Sequence, residues 1–550
     1  MEQRYSVSSS KRTSIPDTNH VVERVYPGFR AQAGIRSFGF SDMPIEVPDG
    51  ALVWNDTFEA KYVTRYLENY VDKHVYDGIS LRERFKFNSP VENIYKSGDL
   101  WIVKANECGR PVTFTSRKLI ITTGLLSEED MPSIPGSDSF SGHLYHHKYI
   151  GRTDLINNPD VNNVTILGGG KSAADLVYAF AKAGKNVSWV IRTTGSGAPI
   201  LAPPEGVGEC LNRAEETMTR LLGIFSPSPF ATRSWLEWFI HSTWLGEYLL
   251  RSIFASVERT IATAAAYTTR SDALPGFSSL APDSASVRWQ IGNIGMITHP
   301  DFWNVVARNV HVHRASITRL HGRTAVLSTG AELRTDLLVA CTGYTSTLPF
   351  LPSELKAQLG LPCPSSAVAA TELAHWTGLE SRADAAVLAR FPVLAHSPTA
   401  PSSHTATDAT QPYRLYRGIL SPSTPSLILV GHVLHGNHFQ SAEIQSLWGV
   451  AALSGRLALP SREAMDENIA AFVAWNRRRY PAHAEKANSV IYEGMGYVDA
   501  LLAEMGLSGH RGKGWWGDVA RPTLPRDLSG LLEEWRENCR VRGVDVAGDL

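Results

Sequence analysis

An α/β architecture, with a dinucleotide-binding unit inserted into a second domain, is what this 550-residue chain predicts. Three observations carry the prediction. A glycine-rich turn between a β-branched strand and a helix lies at 168–173, deep in the chain instead of near its start. Apolar runs ending in Thr-Gly flank it, "RKLIITTG" at 117–124 and "TAVLSTGAELRTDLLVACTGY" at 324–344. A further buried strand, "SLILVGHV" (426–433), follows later. Strands alternating with helical stretches indicate a parallel sheet. Strands on both sides of the unit make the outer domain discontinuous.

The central element is "VTILGGGKSAADLVYAFAKAGKNVSWVIR" (164–192). Its first four residues are a buried-strand signal, and Gly168-x-Gly170-x-x-Ala173 follows at once. Leu176, Val177, Phe180 and Ala181 recur at helical spacing, Gly184 marks a helix end, and 186–191 is a second strand. Gly168 permits the tight turn, Gly170 lets backbone approach a pyrophosphate, and Ala173 lets the helix pack on the sheet. Lys171 and Ser172 open the helix whose free amides and dipole favour an anion, and they join the candidate binding residues. Arg192 stands where an NAD-binding unit places an acid for the ribose diol. An arginine suits a 2′-phosphate, which points to NADPH. A glycine turn in an ordinary α/β unit is the plainer alternative; strand, spacing, helix and Arg192 together disfavour it.

The remaining elements fill in around this unit. Residues 1–20 are polar, Ser-rich and read as disordered. A helix is predicted at 60–74, a strand pair at 91–95 and 100–105, and a helix at 443–457; 396–411 is a low-complexity loop. The stretch 235–255 is apolar but interrupted by Glu237, Glu247 and Arg251, so it cannot span a bilayer. Leu236, Ile240, Trp244 and Tyr248 share one helical row. Packing against the core is the favoured role for that row, ahead of membrane-surface contact or a substrate lid.

Composition narrows the function. Fifty-three Lys+Arg against 54 Asp+Glu leave a net charge of −1, which gives no footprint for nucleic acid. The five cysteines are scattered, with no C-x-x-C, so disulfide-reductase and zinc-ribbon chemistry are disfavoured and a reducing, cytoplasmic setting is expected. In "GHVLHGNH" (431–438) three histidines stand three residues apart, but Gly436 and Asn437 make this a loop, so no metal site is expected.

At this point the motifs resemble one family, the flavin-containing monooxygenases, the class B flavoproteins that use FAD and NADPH. The resemblance runs from about residue 21 to 457. "RVYPGFRAQAGIRSFGFSDMP" (24–44) is similar to the segment after the first glycine motif, and "LIITTGLLSEEDMPSIPG" (119–136) to the first interdomain crossover. "FSGHLYHH" (140–147) fits F-x-G-x-x-x-H through Phe140, Gly142 and His146, and "DLLVACTGY" (336–344) is similar to the second crossover. The resemblance implies two Rossmann-like domains, an NADPH domain inserted in a discontinuous FAD domain. Their expected spans are 21–150 and 331–460 for FAD, 151–330 for NADPH with a helical insertion at 195–300, and 461–550 as a C-terminal helical extension. It adds Thr123, Gly124, Thr342 and Gly343 as cofactor-binding residues and Gln32 as the catalytic candidate. It implies insertion of one oxygen atom from O₂ into a small organic substrate through a flavin 4a-hydroperoxide, in secondary metabolism.

Three departures stand out. Ile150 replaces the Tyr or Phe that ends the identifying motif, with Tyr149 one place early; the Trp of Baeyer–Villiger enzymes is also missing, so this position selects neither subtype. Gln32 stands where the family has an asparagine. The first strand, G-x-G-x-x-G turn and helix for FAD are absent: no apolar strand and no glycine precede Val21. The chain as written is therefore expected to bind FAD poorly, and a truncated or inactive flavoprotein that binds only NADPH is one alternative. A Baeyer–Villiger enzyme is another. A flavin-free reductase is a third, though no Tyr-x-x-x-Lys pair follows the fingerprint at suitable distance.

Overall fold

The computed structural model describes residues 25–26, 28–282, 286–345, 348–399, 410–511 and 514–541. The predicted disorder at 1–20 lies outside this set, as does most of the low-complexity loop, 400–409.

A five-stranded parallel sheet carries the fingerprint. Its order is His143–His146, Leu337–Ala340, Asn163–Leu167, Asn186–Ile191, Val310–Arg314. Near-continuous apolar runs such as Leu337–Ala340, buried at every position, are what a sheet covered on both faces requires. The helix Lys171–Lys182 packs Leu176, Val177 and Phe180 against it, joined by Trp189, Phe302 and Trp303 in one core. The sheet reaches past the expected 151–330 span at both ends, because His143–His146 and Leu337–Ala340 are its members.

The second unit is built around a parallel pair, Leu119–Ile121 with Leu427–Leu429, and the antiparallel meander Val91–Ser97, Leu100–Glu107, Arg110–Ser116. The third strand of that meander escaped sequence reading because it is exposed almost throughout and shows no buried face. The helices expected at 60–74 and 443–457 are Lys61–Lys73 and His438–Leu453. The C-terminal segment is no appendage. Ile428 and Trp448 share one core with Val473, Leu501 and Trp535.

The insertion and the C-terminal segment grip each other through polar contacts. Arg479, fully buried, reaches Glu493 and Ser226 at 2.9 Å each, and Trp475 donates to the Pro227 carbonyl. Arg220 forks onto Asp499 at 2.6 and 2.7 Å. The row expected to pack against the core is a correction. The stretch 235–255 breaks at Thr243 into Trp235–Ser242 and Trp244–Ala265, and of the row only Ile240 is buried.

Candidate active site

Each fingerprint glycine has its own physical reason. Gly168 has φ +133°, and a side-chain carbon there would stand 2.3 Å from the Cys341 carbonyl oxygen. One at Gly169 would stand 1.9 Å from the Gly197 carbonyl oxygen. Both therefore serve the protein's own close backbone approaches. Gly170 differs: its φ is an ordinary −96°, and the nearest neighbour of an added carbon would be the Asn293 amide nitrogen at 3.6 Å. The space in front of the helix N-terminus is open at that residue, as a pyrophosphate requires. Ala173 is fully buried under the helix and Ser172 is exposed at its mouth. Lys171 is committed sideways in an ion pair with Asp175 one turn on. Burial outweighs that pairing and holds the Asp175 carboxyl above its ordinary range.

Arg192 follows the strand Asn186–Ile191 and is exposed, with its guanidinium folded against Gly195. A second cation stands beside it. Arg314 ends the neighbouring strand in register with Ile191, and its guanidinium lies 3.7 Å from where a Gly197 side chain would begin. Sequence reading missed Arg314 because a strand ending in arginine is unremarkable until the sheet places it beside Arg192.

Gln32 belongs to the same locus. Its amide oxygen accepts a hydrogen bond from the Met296 backbone N–H at 2.9 Å. Met296 lies in the ribbon Ile200–Ala202 with Ile294–Met296, so the insertion folds back over Lys171 and brings Asn293 beside Gly170. His299 stacks on Tyr178 with centroids 4.2 Å apart. Burial first, then the charges of Arg30 and Lys171, push its pKa down to about 4, so it is neutral near pH 7.

The two interdomain crossovers meet as an antiparallel pair, Glu128–Glu129 with Tyr344–Thr345. The Thr342 hydroxyl bonds the Asp130 carbonyl, and the Gly343 carbonyl accepts from the Asp130 N–H at 3.0 Å and contacts His146 Nε2 at 2.9 Å. The Thr342 hydroxyl and the Gly343 carbonyl are thus engaged within the paired crossovers, while no atom stands within 4 Å of an added carbon at Gly343 (φ +89°). Gly142 is required beneath the crossovers, since a side chain there would meet the Phe140 ring at 2.6 Å. Tyr149 takes over where Ile150 departs from the motif. Its hydroxyl donates to Glu129 at 2.9 Å, Lys148 reaches the same carboxylate at 2.8 Å, and Ile150 is fully buried.

Burial alone would raise the Glu129 pKa, but the bonds from Lys148 and Tyr149 bring it below its ordinary 4.5. A depressed carboxyl stabilises fully above that ordinary value and loses its contribution as pH falls through the folded one. Glu129→Gln should therefore lower stability near neutral pH by about 1 kcal/mol or less, the pair being partly screened by solvent. Melting curves of both proteins should converge below pH 4.5. A gap of constant size across that range would contradict the clamp.

Thr123 and Gly124 lie past the end of Leu119–Ile121 in the second unit. Gly124 (φ +65°) faces Gly431 (φ +79°), which follows the paired strand, and no atom stands within 4 Å of an added carbon at Gly431. The histidines that follow do not converge. His432 meets the Tyr413 hydroxyl at 3.3 Å, His435 accepts from the Asn437 N–H, and His438 begins a helix. Among the described residues no group of three His, Cys, Asp or Glu could hold a metal ion. Cys108, Cys210, Cys341, Cys363 and Cys539 form no disulfide with one another.

A glycine turn opening a helix at the carboxyl end of one parallel sheet, and a glycine pair at the carboxyl end of a second parallel strand pair, are the features of a nucleotide-dependent α/β enzyme. Comparison with known proteins agrees. The family model described as "Pyridine nucleotide-disulphide oxidoreductase" matches residues 29–202. The chain is 31% identical to an FAD-dependent monooxygenase, resA, of Aspergillus sclerotiorum, over 95% of this chain and 92% of that one. It is 32% identical to an FAD-dependent monooxygenase of Pyrenophora dematioidea, over 89% of this chain and 91% of that one. In fold it is similar to ε-caprolactone-bound cyclohexanone monooxygenase, with a TM-score of 0.54 and 16% identity over 88% of this chain and 89% of that one. The chain belongs to the FAD-dependent monooxygenases, and it is a flavin monooxygenase enzyme.

The residues fit the two cofactors in different ways. The open helix N-terminus at Gly170 with Arg192 and Arg314 suits a dinucleotide bearing a 2′-phosphate. The glycines at 124 and 431 leave room for a flat ring over the second sheet.

Proposed function

We propose that this enzyme takes its reducing equivalents from NADPH and, with FAD, inserts one atom of O₂ into a small organic substrate. The single observation that carries the NADPH part is Gly170. Apart from its own chain neighbours and helix backbone, only the Asn293 amide comes within 4 Å of its added carbon, at the N-terminus of the helix Lys171–Lys182. FAD, when bound, supplies electron transfer from the nicotinamide to dioxygen. The protein's own groups position and shield. The Lys171–Lys182 helix holds the pyrophosphate, Arg192 and Arg314 the 2′-phosphate, and the ribbon carrying Met296 closes over them through Gln32. Asp175 ties Lys171 back so that its chain does not fill the cradle. Neutral His299 adds no charge there.

The test needs no substrate. Under anaerobic conditions NADPH should bleach the flavin of the FAD-loaded full chain far faster than NADH does, and air should restore the colour. A flavin that stays oxidised in NADPH would sink the proposal. Gln32 gives a second handle. Gln32→Ala removes the acceptor that fixes Met296 and with it the placement of Asn293 beside Gly170. One lost hydrogen bond of about 1 kcal/mol should weaken NADP⁺ binding by roughly fivefold. A calorimetric affinity equal to the parent's would show that the ribbon does not shape the cradle.

A further inference from the structure

The helices Trp235–Ser242 and Trp244–Ala265 meet at a corner that presents large apolar side chains outward. Trp235 is 76% exposed, Trp238 62%, Trp244 80% and Tyr248 63%, with Leu245 and Leu249 between them. The corner is a built feature. Thr243 caps the second helix by accepting from the Gly246 N–H at 3.1 Å. Gly246 is buried so tightly that a side chain there would stand 2.1 Å from the Phe239 carbonyl oxygen. Both outward faces are thereby held side by side. Further along the second helix the exposed stripe turns polar, through Ser256, Arg259 and Thr260. The apolar surface is thus a bounded patch, of a size that marks an interaction site on a soluble chain.

Charge around the patch is sorted by direction. Between 233 and 260 there are three acids and three arginines. Glu237 turns inward to Arg390 at 2.6 Å, Glu247 to Arg288 at 2.7 Å, and Glu258 accepts from the Val287 N–H at 3.4 Å. Arg233 and Arg259 are exposed, while Arg251, also exposed, shares Glu247 with Arg288 by donating to it at 2.7 Å. The outward rim keeps Arg233 and Arg259 as its cations although the segment is neutral by composition.

We propose that this corner docks on an anionic lipid bilayer surface, lying in the headgroup region without crossing it. Amphipathic indole and phenol rings dominate the outermost positions, the side chains that favour the water–lipid boundary. The arginine rim complements negatively charged headgroups. No helix among the described residues is long and apolar enough to span. The assignment does not depend on which nicotinamide cofactor the enzyme uses.

The experiment is flotation of the full chain with vesicles of phosphatidylcholine alone and of phosphatidylcholine mixed with phosphatidylserine. The chain should float with the mixed vesicles, lose that association at high salt, and show indole emission shifted to shorter wavelength. The triple variant Trp235→Ser, Trp238→Ser, Trp244→Ser should bind the mixed vesicles about a hundredfold more weakly, with an unchanged melting temperature. The variant Arg233→Glu, Arg259→Glu should lose the preference for phosphatidylserine while retaining the indoles. A parent chain that floats with neither vesicle overturns the proposal. So does a parent that self-associates in solution and becomes monomeric in the tryptophan variant without ever binding lipid, which would make the corner an interface between two copies of the chain.

Discussion

Gly170→Val abolishes NADP⁺ binding and leaves the folded chain within about 1 kcal/mol of the parent. The expectation follows from two facts about one residue. Its φ of −96° and ψ of 177° lie in the extended region that valine prefers. An added carbon would make only ordinary contact, 3.6 Å to the Asn293 amide nitrogen. The empty protein therefore has room for the added carbon. A pyrophosphate drawn to the helix amides does not, because the valine methyls would occupy the place of its oxygens. The two preceding glycines supply the contrast. Gly169→Ala drives a carbon to 1.9 Å from the Gly197 carbonyl oxygen, and Gly168→Ala adds the penalty of φ +133°. Each should cost about 2–3 kcal/mol of stability through overpacking and strain. Thermal melts and NADP⁺ titrations of the three variants check this together. If Gly170→Val melts as early as Gly169→Ala, the glycine serves packing and the cradle is not a ligand site.

Arg192→Asp inverts the cofactor preference. A charge-assisted contact to a 2′-phosphate is worth about 1.5–3 kcal/mol, roughly tenfold to a hundredfold in affinity. The aspartate also offers a ribose diol the acceptor that NAD-binding units use. The KM for NADPH should rise by about that factor while the KM for NADH falls. Arg314→Ala should raise the KM for NADPH without improving NADH, since it removes a cation and supplies no acceptor. Equal use of both cofactors by the unmodified enzyme would remove the basis for both expectations.

Local signals in the sequence located the parts whose physics is local. The strand Asn163–Leu167, the glycine turn and the helix Lys171–Lys182 were legible because burial, turn and amphipathic face all fall within twenty residues. The hairpin Thr324–Leu327 with Glu332–Arg334, feeding Leu337–Ala340, was legible for the same reason. What was not legible came from remote segments. Asn293, Met296 and His299 reach the cradle from the far end of the helical insertion, and Arg314 acquires meaning only in register with Ile191. The contacts of the Thr342 hydroxyl with Asp130 and of the Gly343 carbonyl with His146 join segments about 200 residues apart and could not be read from local pattern. The apolar row at 236–248 read as core because periodicity reports that a face is apolar, not what covers it.

The central claim is that the cradle at Gly170 holds NADPH, and amide hydrogen exchange with and without NADP⁺ tests it most directly. NADP⁺ should slow exchange at three separated stretches, 168–173, 192–197 and 293–296, because the helix mouth, the arginine loop and the closing ribbon enclose one ligand. NAD⁺ at the same concentration should protect 192–197 far less. Protection by NADP⁺ confined to other segments, with exchange at 168–173 unchanged, would contradict the account.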